Sequence, residues 1–115
     1  MHESAIAQGI LDTILAALPP GEKHVTRINV VTGVFSGVER ECLAMYMTEL
    51  SKGTPAQGAE LNVDRRPAKL ICRECNNSED YDNSGDLAIN CTWCGGVNRM
   101  EGGNELYVDT IEVNP

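Results

Sequence analysis

Cys72-Arg73-Glu74-Cys75 and Cys91-Thr92-Trp93-Cys94 are two matched CxxC pairs, separated by the fifteen residues 76–90. Two knuckles of this kind offer four sulfurs to one tetrahedral ion, the arrangement of a structural zinc site with Zn–S of about 2.3 Å. The chain must turn sharply after each pair so that backbone amides approach the sulfurs. Gly95-Gly96 supplies the positive φ after the second pair, and Asn76-Asn77 after the first, because asparagine tolerates the left-handed region. Four thiolates close the shell, so no position remains for a catalytic water. Two other chemistries share the pattern, a rubredoxin-like iron and a reversible dithiol pair; iron needs a compact aromatic core that this stretch lacks. Working outward, the cysteines define a zinc-ribbon-like module over residues 68–101, inserted between residues 1–67 and 102–115.

The chain has 115 residues, the length of one domain with a small appended module. Its apolar content of 42% is that of an ordinary globular protein. Phe35, Trp93 and three tyrosines are the aromatics, so the core is expected to be aliphatic. Nine Lys+Arg stand against seventeen Asp+Glu, a net charge of −8. Four thiolates around one dication would add a further net −2. A phosphate backbone is repelled by such a surface, which argues against nucleic acid as a partner. No apolar run approaches the roughly 18 residues that span a bilayer, so no membrane partner is expected either. Met1-His2-Glu3-Ser4 lacks the basic region of a signal peptide, and CxxC pairs without a leader point to a cytoplasmic address. No Ser/His/Asp or Cys/His set, phosphate loop or open metal site is visible, so the chain is not expected to be an enzyme.

Residues 3–18 carry Ile6, Ile10, Ile14 and Leu18 every fourth position, with Ala7, Leu11 and Leu15 beside them, an amphipathic helix ended by Pro19-Pro20-Gly21. Residues 25–34 alternate, with Ile28, Val30, Thr32 and Val34 on one side and Arg27 and Asn29 on the other, which predicts a strand. Ser36-Gly37-Val38-Glu39 has the form of a capping box opening a second helix, in which Cys42, Leu43, Tyr46 and Leu50 form the inner face and Lys52-Gly53 the stop. Ala59, Leu61 and Val63 alternate with Glu60, Asn62 and Asp64 in a second strand. Residues 76–85 are polar and turn-rich, the composition of a loop tip. A third strand covers 105–113, where Leu106 and Val108 fall in one phase and Ile111 and Val113 in the other, implying a bulge near Asp109-Thr110. The expected fold is α+β: a three-stranded sheet covered by two helices, with the CxxC module inserted before the last strand.

The amino terminus is a second candidate site. The Met1 amine, the intervening amide and the His2 imidazole can close two fused chelate rings, with Glu3 adding an amide or its carboxylate. A nitrogen-rich, near-planar set of this kind favours Ni(II) or Cu(II) over zinc. The bland alternative is a histidine at position 2 without a role. Glu39 is a candidate extra ligand if the second helix starts near the amino terminus, against its place in the capping box. Cys42 reads as a small buried hydrophobe and His24 as a surface residue before the first strand.

Met1-His2-Glu3 opening an amphipathic helix, then Gly33-Val34-Phe35-Ser36-Gly37-Val38 at a strand-to-helix join, resembles the nickel-incorporation accessory proteins of nickel–iron hydrogenase maturation, the HypA/HybF family. Gly53-Thr54-Pro55, Gly58-Ala59-Glu60-Leu61, the paired CxxC knuckles, and Glu105-Leu106 through Ile111-Glu112-Val113 fit the same pattern in the same order over nearly the whole chain. The resemblance implies a nickel metallochaperone with Ni2+ as cargo at Met1, His2 and Glu3, and structural Zn2+ at Cys72, Cys75, Cys91 and Cys94. It implies a nickel-binding α/β domain made of 1–67 and 102–115 around the zinc module. It further implies work with a nickel-handling GTPase and the hydrogenase large subunit, with urease served by some members and a homodimer left open. Three features depart from the pattern: Cys42 in place of an ordinary apolar residue, Thr92-Trp93 in place of a proline-containing pair, and the acidic stretch 78–86. A different class competes with this reading, an acidic zinc-ribbon adapter that docks a basic protein and has no nickel role.

Overall fold

The computed structural model describes residues 3–19, 21 and 23–114. In chain order its elements are α1 (Glu3–Ala17), β1 (His24–Gly33), α2 (Arg40–Leu50), β2 (Glu60–Arg66), β3 (Ala68–Cys72), β4 (Ser78–Tyr81), β5 (Asn98–Glu101) and β6 (Leu106–Asn114). They form two sheets of three strands, ordered β2-β1-β6 and β4-β3-β5. The α+β class is as expected, with two helices, a three-stranded sheet and an inserted cysteine module. Contacts divide the chain into one unit of Met1–Val31, Gly37–Asp64 and Tyr107–Pro115, and another of Thr32–Ser36 and Arg65–Leu106. No helix among the described residues is long and apolar enough to cross a membrane.

In the first unit the four-residue stripe of α1 faces the core. Ala7, Ile10, Leu11 and Ile14 are buried, with Ile6, Leu15 and Leu18 packed alongside. Each of the larger side chains contributes about 1.5–3 kcal/mol by leaving water. The Leu18 N–H still donates to the Ile14 carbonyl at 3.1 Å, and Pro19, which has no N–H, ends the ladder. Val25, Ile28 and Val30 of β1 complete this core with Leu43 and Met47 of α2.

Several side-chain pairs show how β1 sits in its sheet. Arg27 meets Glu60 at 3.2 Å and Asn29 meets Asn62 at 3.1 Å, so the partners advance together along β1 and β2. Arg27 also meets Glu112 at 3.5 Å and Asn29 meets Thr110 at 2.9 Å, advancing in opposite senses. β1 and β2 are thus joined in parallel fashion through the α2 crossover, with β6 antiparallel on the other side. As the middle strand, β1 is buried on both faces from Val30 through Gly33, where strict alternation had been expected. In β6, Val108 and Ile111 both pack on the core three residues apart, so the phase does change near Asp109-Thr110, while Val113 stays exposed.

The capping box does not form. α2 begins at Arg40, with Glu39 as an extended N-cap residue that makes no side-chain cap. Residues 33–36 are instead held as a turn, with the Ser36 N–H donating to the Gly33 carbonyl at 3.0 Å and the Phe35 N–H to Gly103 at 2.6 Å. Gly37, which would be the first helical residue after a Ser36 cap, has φ 73°, so no helix starts there. The later start also changes which α2 residues face inward. Leu43 and Met47 are buried, whereas Tyr46 is 37% exposed and Cys42 only half-buried, against the expectation for both. His24 lies at the surface as expected, although it is the first residue of β1 rather than a residue before it.

In the second unit β3 is the middle strand, antiparallel to both neighbours. Leu70 faces Glu79 on β4 and Met100 on β5, and Cys72 faces Asn98. β4 is the strand that the polar composition of 76–85 concealed. Ser, Glu and Asp have low strand propensity, and only pairing with β3 organises them. The register sets Lys69 opposite Asp80, and the two form an ion pair. Phe35 lies over Tyr81 with ring centroids 6.0 Å apart.

Candidate metal centre

The two knuckles fold by the same rule. In the first, the Cys72 N–H donates to the Asn77 carbonyl at 2.9 Å and the Asn76 N–H returns to the Cys72 carbonyl at 3.1 Å. In the second, the Cys91 N–H donates to Gly96 at 2.7 Å and the Gly95 N–H to Cys91 at 2.9 Å. Asn76 (φ 62°) and Gly95 (φ 80°) take the left-handed conformation expected of them. The turn directs amides at sulfur: Glu74 and Cys75 N–H onto Cys72 Sγ, Trp93 N–H onto Cys91 Sγ and Gly96 N–H onto Cys94 Sγ, each at 3.4 Å.

These turns bring all four sulfurs within 4.8 Å of one another, with Cys72 and Cys94 3.4 Å apart and Cys75 and Cys91 3.7 Å apart. A tetrahedron with Zn–S of about 2.3 Å has S···S edges of about 3.8 Å, so the cluster suits a structural zinc. None of the four is in a disulfide. Cys72 and Cys91 are buried, Cys75 and Cys94 exposed. Packing also explains a residue that sequence marked only for its turn. A Cβ on Gly96 would lie 3.0 Å from the Glu74 carboxylate and 3.1 Å from Cys72 Sγ. Amide donors after each pair were expected, and Gly96 is one; those inside the pairs, at Glu74, Cys75 and Trp93, carry no side-chain signal.

Electrostatics follow the donors. The amides of Cys75 and Glu74 bring the Cys72 thiol down to about 6. At Cys94 the Gly96 amide pulls downward, but the sulfurs of Cys72, Cys75 and Cys91 outweigh it and push the thiol up to about 12. Crowded sulfurs resist carrying several negative charges together without a cation, and a bound dication relieves that repulsion.

The Met1 amine and His2 imidazole lie outside the described residues. Glu3 is the first residue of α1 and half-buried. Glu39, freed from the capping box, accepts the Cys42 thiol at 3.8 Å from Sγ to Oε2. The Glu39 carboxylate, burial and the Glu3 carboxylate raise the Cys42 thiol above its ordinary value. Cys42 is thus a half-exposed thiol among carboxylates, not a core residue.

A family model described as hydrogenase/urease nickel incorporation, metallochaperone, hypA matches residues 1–113. A hydrogenase maturation factor HypA of Dehalococcoides mccartyi is 37% identical over 116 residues, covering 99% of this chain and 95% of that protein. Its counterpart in Caldanaerobacter subterraneus is 33% identical, covering 98% and 99%. The solution structure of the Ni metallochaperone HypA from Helicobacter pylori shares the fold, with a TM-score of 0.61 at 17% identity over 97% of each chain. With the family match running through both knuckles and nearly from end to end, this chain belongs to the HypA family.

Proposed function

We propose that this protein carries Ni(II) for hydrogenase maturation, and for urease where that enzyme is present. The nickel is held by the Met1 amine, the intervening amide and the His2 imidazole, with Glu3 contributing an amide or its carboxylate. The observation that carries the reading is the family match that begins at residue 1 and so includes Met1-His2-Glu3. The sulfur cluster supports it by exclusion. Four cysteines fill a tetrahedral shell, so zinc staples the fold and cargo needs other ligands. The nickel is passed on with a nickel-handling GTPase to the hydrogenase large subunit, by ligand exchange from a site at the chain's start. An adapter without nickel finds no support among the relatives.

Nickel binding displaces protons from the amine and imidazole, whose reference pKa values are about 7.7–8.0 and 6.5. Affinity therefore falls as pH falls. His2→Ala is expected to abolish nickel binding while zinc content and fold stay as they are. An unchanged nickel titration of that variant would end the proposal. A tag fused to the amino terminus converts the amine into an amide and should do comparable damage. The measurement requires untagged protein whose retained Met1 is verified by mass spectrometry.

A further inference from the structure

Among the described residues nine large hydrophobic side chains are exposed, and five of them fall between Leu87 and Met100. That concentration singles out the cysteine module as the unit with an uncovered apolar surface. Strand register places its centre. Met100 lies opposite Leu70 and Asn98 opposite Cys72, so Met100 and Asn98 share one face of the sheet. Asn90 bridges Val97, and the Asn98 N–H donates to the Ile89 carbonyl at 2.9 Å, which sets Ile89 opposite Asn98 on that same face. Ile89 is 68% and Met100 42% exposed there. Trp93, 62% exposed, stands at the tip of the adjoining knuckle. Glu79 joins the face from β4, opposite Leu70.

Charge indicates what covers it. Residues 68–101 carry Lys69, Arg73 and Arg99 against Glu74, Glu79, Asp80, Asp82, Asp86 and Glu101, a net −3. Zinc on four thiolates brings this to −5. Lys69 and Arg99 are engaged with Asp80 and Glu101, whereas Glu79 and Asp86 have no ion-pair partner among the described residues. A second copy of this chain would bring the same negative charge to the contact and be repelled.

We propose that the Ile89–Met100 face is a docking surface for a basic, amphipathic segment of a partner protein. Aliphatic side chains of that segment cover Ile89 and Met100, and its Lys or Arg residues meet Glu79 on that face and the exposed Asp86, three residues before Ile89 in the chain. The inference rests on the carrier reading above, since it specifies where a protein that exchanges nickel with this one is held.

The test uses zinc-loaded full-length protein, with the purified GTPase and the purified nickel-free large subunit as probes in turn. Ile89→Ala with Met100→Ala should weaken binding of one of them by about 10- to 100-fold, the range of an interface hot spot. Glu79→Gln with Asp86→Asn should slow association and flatten its salt dependence. Zinc content, circular dichroism and nickel titration should match the parent protein in both double variants, which separates lost docking from lost folding or lost nickel. Affinities unchanged within about twofold would overturn the proposal. So would a loss produced only by Met45→Ala with Tyr46→Ala on α2, or a parent dimer that the Ile89 and Met100 changes dissolve. If neither probe binds the parent protein, the partner assignment fails and this inference with it; if binding is lost only in His2→Ala, docking runs through the nickel site and the face proposed here is refuted.

Discussion

Cys91→Ser is expected to strip the protein of zinc and unfold residues 65–106 while leaving the helical core standing. Serine offers a weakly acidic hydroxyl where zinc needs a thiolate, and the three remaining sulfurs would sit close together with no cation between them. Structural zinc of this type supplies about 10–16 kcal/mol of apparent binding energy, much of it spent on ordering the chain. The module has little else to hold it. From residue 65 to 106 the buried apolar side chains besides Cys72 and Cys91 are Ala68 and Leu70. The first unit has its own aliphatic core of α1, α2 and β1 residues. Hydrogen exchange should therefore show β3, β4 and β5 amides losing protection in the variant while those of α1 and α2 keep theirs. One zinc per chain by metal analysis, together with unaltered protection of β3, would refute this account of what the cysteines do.

Gly33→Ala is the second large effect, and it arises far from any metal ligand in sequence. A Cβ at position 33 would stand 2.2 Å from both the carbonyl carbon and oxygen of Gly103, and 2.8 Å from the Asn104 nitrogen. All three are backbone atoms, which cannot rotate away as a side chain can. The close approach is part of the design of this turn, since the Gly33 N–H donates to Glu105 at 2.8 Å and the Phe35 N–H to Gly103 at 2.6 Å. Moving the 102–105 segment away to admit a methyl group would break both bonds. A cost of about 3 kcal/mol or more is expected, at the upper end for overpacking. At roughly 4 °C per kcal/mol for a chain of this length, the melting temperature should fall by about 12 °C. Thermal unfolding followed by circular dichroism measures it, and a melting temperature within about 2 °C of the parent would show that the glycine is not needed there. Gly103 is equally constrained, because a Cβ on it would meet the Phe35 ring at 2.5 Å.

The α1 stripe from Ile6 to Leu18, the alternation in β2 and the two knuckles with their left-handed Asn76 and Gly95 were all legible in the residues. Each is a local pattern whose period or spacing has one physical solution. The start of α2 was not. Ser36 and Glu39 have the right spacing for a capping box, but backbone bonds from Gly33 to Glu105, Val34 to Arg66 and Phe35 to Gly103 hold that stretch as a turn. With the start moved to Arg40, Met47 turns inward and Tyr46 and Cys42 outward, a shift that the apolar pattern of α2 alone did not specify. β4 was hidden for a related reason. In Ser78-Glu79-Asp80-Tyr81 only Tyr81 has strand propensity, and the stretch is ordered by pairing with β3. The CxxC spacing likewise announced the sulfur cluster, because the two ligands of each pair stand three residues apart. Which amides point at each sulfur, that position 96 is crowded by Glu74 and Cys72, and that Cys42 pairs with Glu39 instead of entering the core were decided by tertiary structure. Those properties depend on where the backbone passes in space, and side-chain chemistry read along a line does not encode that.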